Sequence, residues 1–251
     1  MLHEKAFAQD VDDVYSGDRD PYKLFVLNIV LAISIQKMGG DYSGLAQSYF
    51  LSAMEQFENI VRPKDLKTLQ CLVLITEYSL LTPISAAVYY VVGLATRICQ
   101  QLGLDDERTI GLGVEDAQTL DMRRRLSWIV TAHEFGLAHI MGRPNGFAKC
   151  DDFMNVKFFA TASDSVITPE ATPESLQNAP TCEKKLVAIH FCKMRVLQAE
   201  IRRTLYERKR NEPTHDQHPW FAEMERKMKS WLDECPTQPA WCKPWLVLSK
   251  F

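Results

Sequence analysis

Apolar residues recur at intervals of three and four along most of the chain, the period of helices that bury one face. After Asp20-Pro21, an N-cap followed by a proline suited to the first helical turn, Leu24, Leu27, Val30, Leu31 and Ile35 mark one face. Gly39-Gly40 stops that run. A second helix opens near Asp41-Tyr42-Ser43 and extends to about Ile60, ahead of Pro63. A third carries Leu66, Leu69, Val73, Ile75 and Leu80. Thr82-Pro83 ends it and opens a fourth, with Val88, Val91, Ala95, Ile98 and Leu102, capped by Gly103. The fifth is long, from about Glu115 to Met141, with Met122, Leu126, Ile129, His133, Leu137 and Ile140 on its stripe, and Gly142-Arg143-Pro144 closes it. A sixth spans about Cys182 to Arg210 and a seventh about Pro219 to Glu234.

The segments between them read as loops. Residues 103–114 contain Gly111 and Gly113, and residues 143–180 hold four prolines among many Ser, Thr, Asn and Asp. A connection as long as the second is usually functional or mobile. Residues 211–219 read as a linker. Pro236, Pro239 and Pro244 interrupt the end of the chain, and Pro244–Phe251 resembles the first turns of a helix cut short. No strand alternation and no fixed repeat stands out. The pattern predicts an all-α, multi-helix array of antiparallel helix pairs, with about seven helices and a truncated C-terminal end. Residues 1–20 form an acidic lead segment and residues 21–251 the domain.

Composition narrows the classes. With 46% apolar and 24% charged residues the chain is not a disordered one. A net charge of −3 argues against a free-standing nucleic-acid binder, so no direct nucleic-acid contact is expected. The first twenty residues carry six acids against Lys5 and Arg19, the opposite of a signal peptide. The longest apolar-leaning stretch, Leu24–Ile35, is interrupted by Asn28 and Ser34 and falls short of the roughly 20 residues of a membrane span. Cys71, Cys99, Cys150, Cys182, Cys192, Cys235 and Cys242 are odd in number and irregular in spacing, which reads as reduced thiols inside a cell.

Catalytic constellations fail one by one. His133 and His139 lie six residues apart, about 240° around a helix, whereas a zinc protease needs two His on one face. His133 reads instead as a hydrogen-bonded core histidine. His215 and His218 sit in a polar linker without a third ligand, and Cys235 and Cys242 lack a close Cys pair. Asp12-Asp13 and Asp105-Asp106 lack the further Asp that a magnesium-diphosphate helix face requires, and read as solvated caps. Gly111 and Gly113 form no dinucleotide loop, and no P-loop or nucleophile elbow is present. Between Lys184 and Arg210 nine Lys/Arg stand against two acids, which reads as the solvent face of an amphipathic helix. Arg123-Arg124-Arg125 is a second basic spot of the same kind.

Two stretches resemble the middle homology region of fungal binuclear zinc-cluster transcription factors. The first runs from Leu69-Gln70-Cys71-Leu72 through Gly93-Leu94-Ala95 to the Leu102-Gly103-Leu104 turn. The second is Arg123-Arg124-Arg125-Leu126-Ser127-Trp128, followed by Met141-Gly142-Arg143-Pro144. Ser127 departs from the aromatic usual in that family, and His133-Glu134 from its usual Leu-Asp. The resemblance covers roughly residues 20 to 250. It implies an all-helical regulatory module that lies downstream of a six-cysteine zinc cluster, tunes transcription by RNA polymerase II in the nucleus, and in some members senses small molecules.

Under that resemblance the chain is expected to be a regulator, for example of secondary metabolism, and not an enzyme. It carries no six-cysteine segment, so no zinc and no other cofactor is expected in it. The motif residues Arg123, Arg124, Arg125, Trp128, Gly142, Arg143 and Pro144 are expected to be structural, with Arg125 or Arg143 bonding either helix-end carbonyls or a loop carboxylate. Replacing Arg143 by Ala should then lower stability. A protein partner or a homodimer is expected, because missing later helices would expose apolar surface, together with a small-molecule effector. Two alternatives stay open. One is a helical biosynthetic enzyme on the same fold, suggested by the buried-looking His133, His139 and His190; the other is a truncated partner that titrates a full-length factor.

Overall fold

Short polar side chains fix where the helices begin. In the computed structural model, which describes residues 1–83, 87–147, 154–206, 213 and 215–236, Asp20 accepts from the Lys23 amide at 3.0 Å and starts α2 (Pro21–Lys37) with Pro21 in its first turn. Before it, α1 (Glu4–Tyr15) is capped by His3. After it come α3 (Ser43–Met54) and α4 (Phe57–Val61). Asp65 and Thr68 form a reciprocal capping box that opens α5 (Leu66–Leu81). Then follow α6 (Val88–Gln101), α7 (Glu107–Ile110) and α8 (Ala117–Met141), whose cap Asp116 accepts from the Thr119 amide at 2.7 Å. Last are α9 (Pro173–Asn178), α10 (Glu183–Tyr206) and α11 (Pro219–Asp233).

Every side of α5 is buried from Thr68 to Thr76, so α5 is the central post. The α2–α3 pair leans on it through Phe25, Val26, Ile29 and Phe50, and the Phe50 ring stacks on Tyr78 with centroids 4.4 Å apart. On its other flank α6 and α8 pack, with Ile98, Cys99, Leu126 and Val130 in the same core. The far face of α8 receives α10, which in turn carries α11. Residues 154–172 run along α8 without helix, turning at 164–166 and 169–170, and sink Val156, Phe159, Ala162 and Ile167. Among the described residues the sole β feature is one bridge between Ala162 and Thr181.

The class is all-α, as the periodicity predicts, but there are eleven helices among the described residues where about seven were expected. The lead segment is helical because Leu2 and Phe7 pack on the core while its acids turn outward; Asp13 and Asp18 reach Lys23 at 2.5 and 2.8 Å. The second helix breaks at Glu55-Gln56, where the Gln56 amide bonds the carbonyl of Ala53, three residues back. That turn re-aims α4 so that Ile60 is buried. Two loops gain the short helices α7 and α9, each begun by its own cap, Asp106 and Thr172. Ile140, expected on the buried stripe of α8, and His139, expected to be buried, are both exposed. Periodicity records which side chains share a face, not how far the neighbouring helices reach. The expected helical turns at 244–251, Cys150, Cys242, and the end of the basic run at 207–210 lie outside the described residues.

Candidate functional site

The arginine triplet sits one turn into α8 and is not the solvated face expected of it. All three guanidinium groups are engaged. Arg123 donates to the carbonyls of Ile110 and Leu112, 2.9 and 3.0 Å away, at the C-terminal end of α7. Arg124 pairs with Glu107 at the other end of that helix. The two clamp α7 along its length. Glu107 also accepts from the Lys157 amide at 2.9 Å. Burial opposes its charge, but these two donors prevail and hold its carboxyl below the usual range.

Arg125 is the buried member, 5% exposed. It pairs with Asp121 one turn earlier at 2.5 Å and with both oxygens of Asp164 at 2.6 and 3.2 Å. Asp164 also takes the Lys185 ammonium at 2.8 Å and the Glu4 amide at 3.0 Å. One carboxylate thus joins α1, α8, α10 and the segment along α8. Burial would raise the Asp164 carboxyl, but Arg125, Lys185 and the Glu4 amide outweigh it and hold it well below the ordinary carboxylate range. Of the two partners expected for Arg125, the loop carboxylate is the one found; helix-end carbonyls fall to Arg123. Lys185, expected on a solvent face, turns inward to Asp164 with 13% of its side chain exposed.

Asp121 extends the seam by accepting from the Ala160 amide at 2.6 Å. Trp128 donates to the Lys157 carbonyl at 3.0 Å and stacks on Phe158 at 4.4 Å. Ser127 is fully buried and donates to the Leu104 carbonyl at 2.6 Å. At the other end of α8, Gly142 takes the left-handed conformation at φ 63°, and the amide of Arg143 bonds Ala138. The Arg143 and Pro144 side chains are exposed. Among the described residues Arg143 acts through its backbone, which corrects the expectation that its side chain stabilises the fold. Glu134, noted in the sequence only as a departure from the family's usual residue, accepts from the Gly146 amide at 2.8 Å and returns the closing turn to α8.

The histidines behave as ordinary structural groups. His133 lies 3.2 Å from Glu77, which keeps the hydrogen bond expected of it, but its ring is only half-buried. His190 is buried and stacks on Trp231, while His139 is exposed. His218 accepts from the Trp220 amide and caps α11. Asp106 caps α7, as expected of it, but is buried where a solvated cap was expected. Among the described residues no group of three His, Cys, Asp or Glu side chains is placed to hold a metal ion. No helix among them is long and apolar enough to cross a membrane.

Two cavities flank α8. One, of about 360 Å³, lies between α1, α2, α5 and the start of α8. Some of its polar groups are engaged: Tyr22 donates to Gln70 at 3.0 Å, Gln70 to the Met1 carbonyl at 3.1 Å, and Lys67 lies over the Tyr22 ring. The other, of about 460 Å³, lies beside Trp128, between α8, residues 154–158, α10 and α11. Its walls include Trp128, Phe158 and Trp231, and its rim carries Lys193, Arg226, Lys227 and Glu234.

The pattern described as "Fungal specific transcription factor domain" matches residues 1–233. Among curated proteins, the chain is 27% identical to the positive regulator of purine utilization of Emericella nidulans, over 82% of this chain and 25% of that protein. It is 29% identical to pyrimidine pathway regulatory protein 1 of Saccharomyces cerevisiae, over 84% of this chain and 24% of that protein. An ABC-transporter-regulating transcription factor of Aspergillus oryzae is 25% identical over 94% of this chain and 26% of its own length. The chain therefore spans about a quarter of the length of these relatives. No solved structure matches it. Each of these relatives is named as a regulator, and with the family pattern running through the arginine motif and all eleven helices, the chain belongs to the fungal specific transcription factor domain family.

Proposed function

We propose that this chain is the effector-responsive regulatory body of a nuclear regulator of transcription by RNA polymerase II, and that it performs no catalysis. The observation that carries this reading is the family match across residues 1–233, joined to relatives named as regulators of purine utilization, of the pyrimidine pathway and of ABC transporters. The use of Arg123, Arg124 and Arg125 in holding helices together supports it, because those side chains are engaged with protein partners. A helical body of this kind regulates by holding two arrangements whose balance a ligand shifts, to the extent that the ligand prefers one. A protein partner or a second copy of the chain belongs to the same proposal, supported by the outward-facing Tyr90 and Leu94 of α6.

The test is a reporter assay. The chain is joined to an unrelated DNA-binding module and an activating segment, and output is compared with the same pair lacking it. The proposal expects output that the chain lowers or makes dependent on nutrient supply. Output identical with and without the chain under every nutrient condition would remove the regulatory reading.

A further inference from the structure

The cleft beside Trp128 has features that the protein's own packing leaves unexplained. Its volume of about 460 Å³ is in the range of sites for small ligands. Three aromatic rings wall it, and each is held in place. Trp128 stacks on Phe158 with centroids 4.4 Å apart and planes 23° from parallel. Trp231 stacks on His190 at 4.4 Å and 12°. Both indole N–H groups are already used, Trp128 on the Lys157 carbonyl and Trp231 on the carbonyl of His190 at 2.9 Å. What these rings offer an occupant is therefore apolar surface and no donor, which favours a flat, apolar body.

The rim supplies the polar part. Lys193, Arg226 and Lys227 stand at the cleft, each paired with one acid: Glu234, Glu223 and Glu200. Lys193 is tied to Glu234 at 2.9 Å, with 44% and 53% of the two side chains exposed. Exposed pairs of this kind contribute little to stability. An incoming carboxylate can replace Glu234 on the Lys193 ammonium at small cost and gain a charge-assisted hydrogen bond beside an apolar wall. Polyphosphates fit less well. The rim cations are each engaged separately, Arg226 on Glu223 and Lys227 on Glu200, so they form no joint cluster for several phosphates. In the cavity between α1, α2 and α5, Tyr22 and Gln70 are instead bonded to one another.

We infer that this cleft binds a planar aromatic carboxylate, with its ring among Trp128, Phe158 and Trp231 and its carboxylate on Lys193. Two of the contacts, Trp231 and Glu234, belong to or directly follow α11, while Trp128 belongs to α8. Occupancy thus ties α11 to the body of the protein. This site gives the proposed effector a place and a class, and rests on that reading only for its regulatory consequence.

The test is calorimetric titration of the purified chain with 2-naphthoate and with its neutral counterpart 2-naphthalenemethanol. The carboxylate should bind once per chain and at least tenfold more tightly than the alcohol. Lys193→Gln should erase that preference. Ser230→Trp, which adds bulk to the cleft from an exposed position, should weaken 2-naphthoate at least tenfold while the helical melt is retained. Absence of binding, equal affinity for acid and alcohol, or full binding by the Ser230→Trp variant would overturn the site. Binding as described with a reporter that ignores the chain would uphold the site and remove the regulatory reading instead.

Discussion

At the scale of single residues, the arginine motif separates into side chains that hold the fold and one that does not. Arg125 neutralises two buried carboxylates, so removing it leaves Asp121 and Asp164 short of their main partner. Arg125→Met should destabilise by about 3–5 kcal/mol, the usual cost of breaking a buried pair from one side, measured by denaturant unfolding. Arg143→Ala should change the same measurement by less than about 0.5 kcal/mol, as for an exposed side chain with no partner shown among the described residues. Gly146 offers a sharper case. A Cβ there would stand 3.0 Å from the stiff Thr96 side chain and 3.2 Å from Glu134. Gly146→Ala should cost about 1–3 kcal/mol by overpacking. The motif was legible in the sequence as a run of three arginines, but its division of labour was not. Asp164 lies 39 residues away in a proline-spaced loop, and only the fold brings it to Arg125.

At the scale of elements, boundaries were the most legible feature, because caps are local chemistry. Asp20-Pro21, Gly103 and Gly142 mark helix ends in the sequence and in the structure alike. The Asp65 cap should be worth about 1 kcal/mol when replaced by Ala, and Gly142→Ala about 1 kcal/mol through the left-handed backbone it must keep; thermal unfolding of each variant checks both. The short helices escaped notice because four or six residues carry no periodicity of their own. The helix in the acidic lead escaped for a different reason. Its acids dominate the composition, while the few side chains that bury, such as His3, Leu2 and Phe7, only make sense against α5 and residue 167. The cleft was invisible for the same reason. Its walls come from four separate stretches, and Trp231 and Phe158 belonged to no motif.

At the scale of the whole molecule, the buried charges at Asp164 tie stability to pH. Folding holds that carboxyl well below its unfolded value near 3.8. In acid the unfolded chain therefore takes up a proton that the folded one resists, and stability falls as pH drops below about 5. Asp164→Asn should be less stable at neutral pH and show a flatter profile between pH 5 and 3, as read from melting curves across that range. The all-α class and the family were legible in the sequence, since both rest on periodicity and on ordered motifs that survive without coordinates. The central claim is regulatory, and the most direct measurement is transcript sequencing in the native host with the gene deleted, then restored. The account predicts that a limited set of transcripts shifts on deletion and returns on restoration. Transcript levels indistinguishable among intact, deleted and restored strains, across changes in nutrient supply, would contradict it.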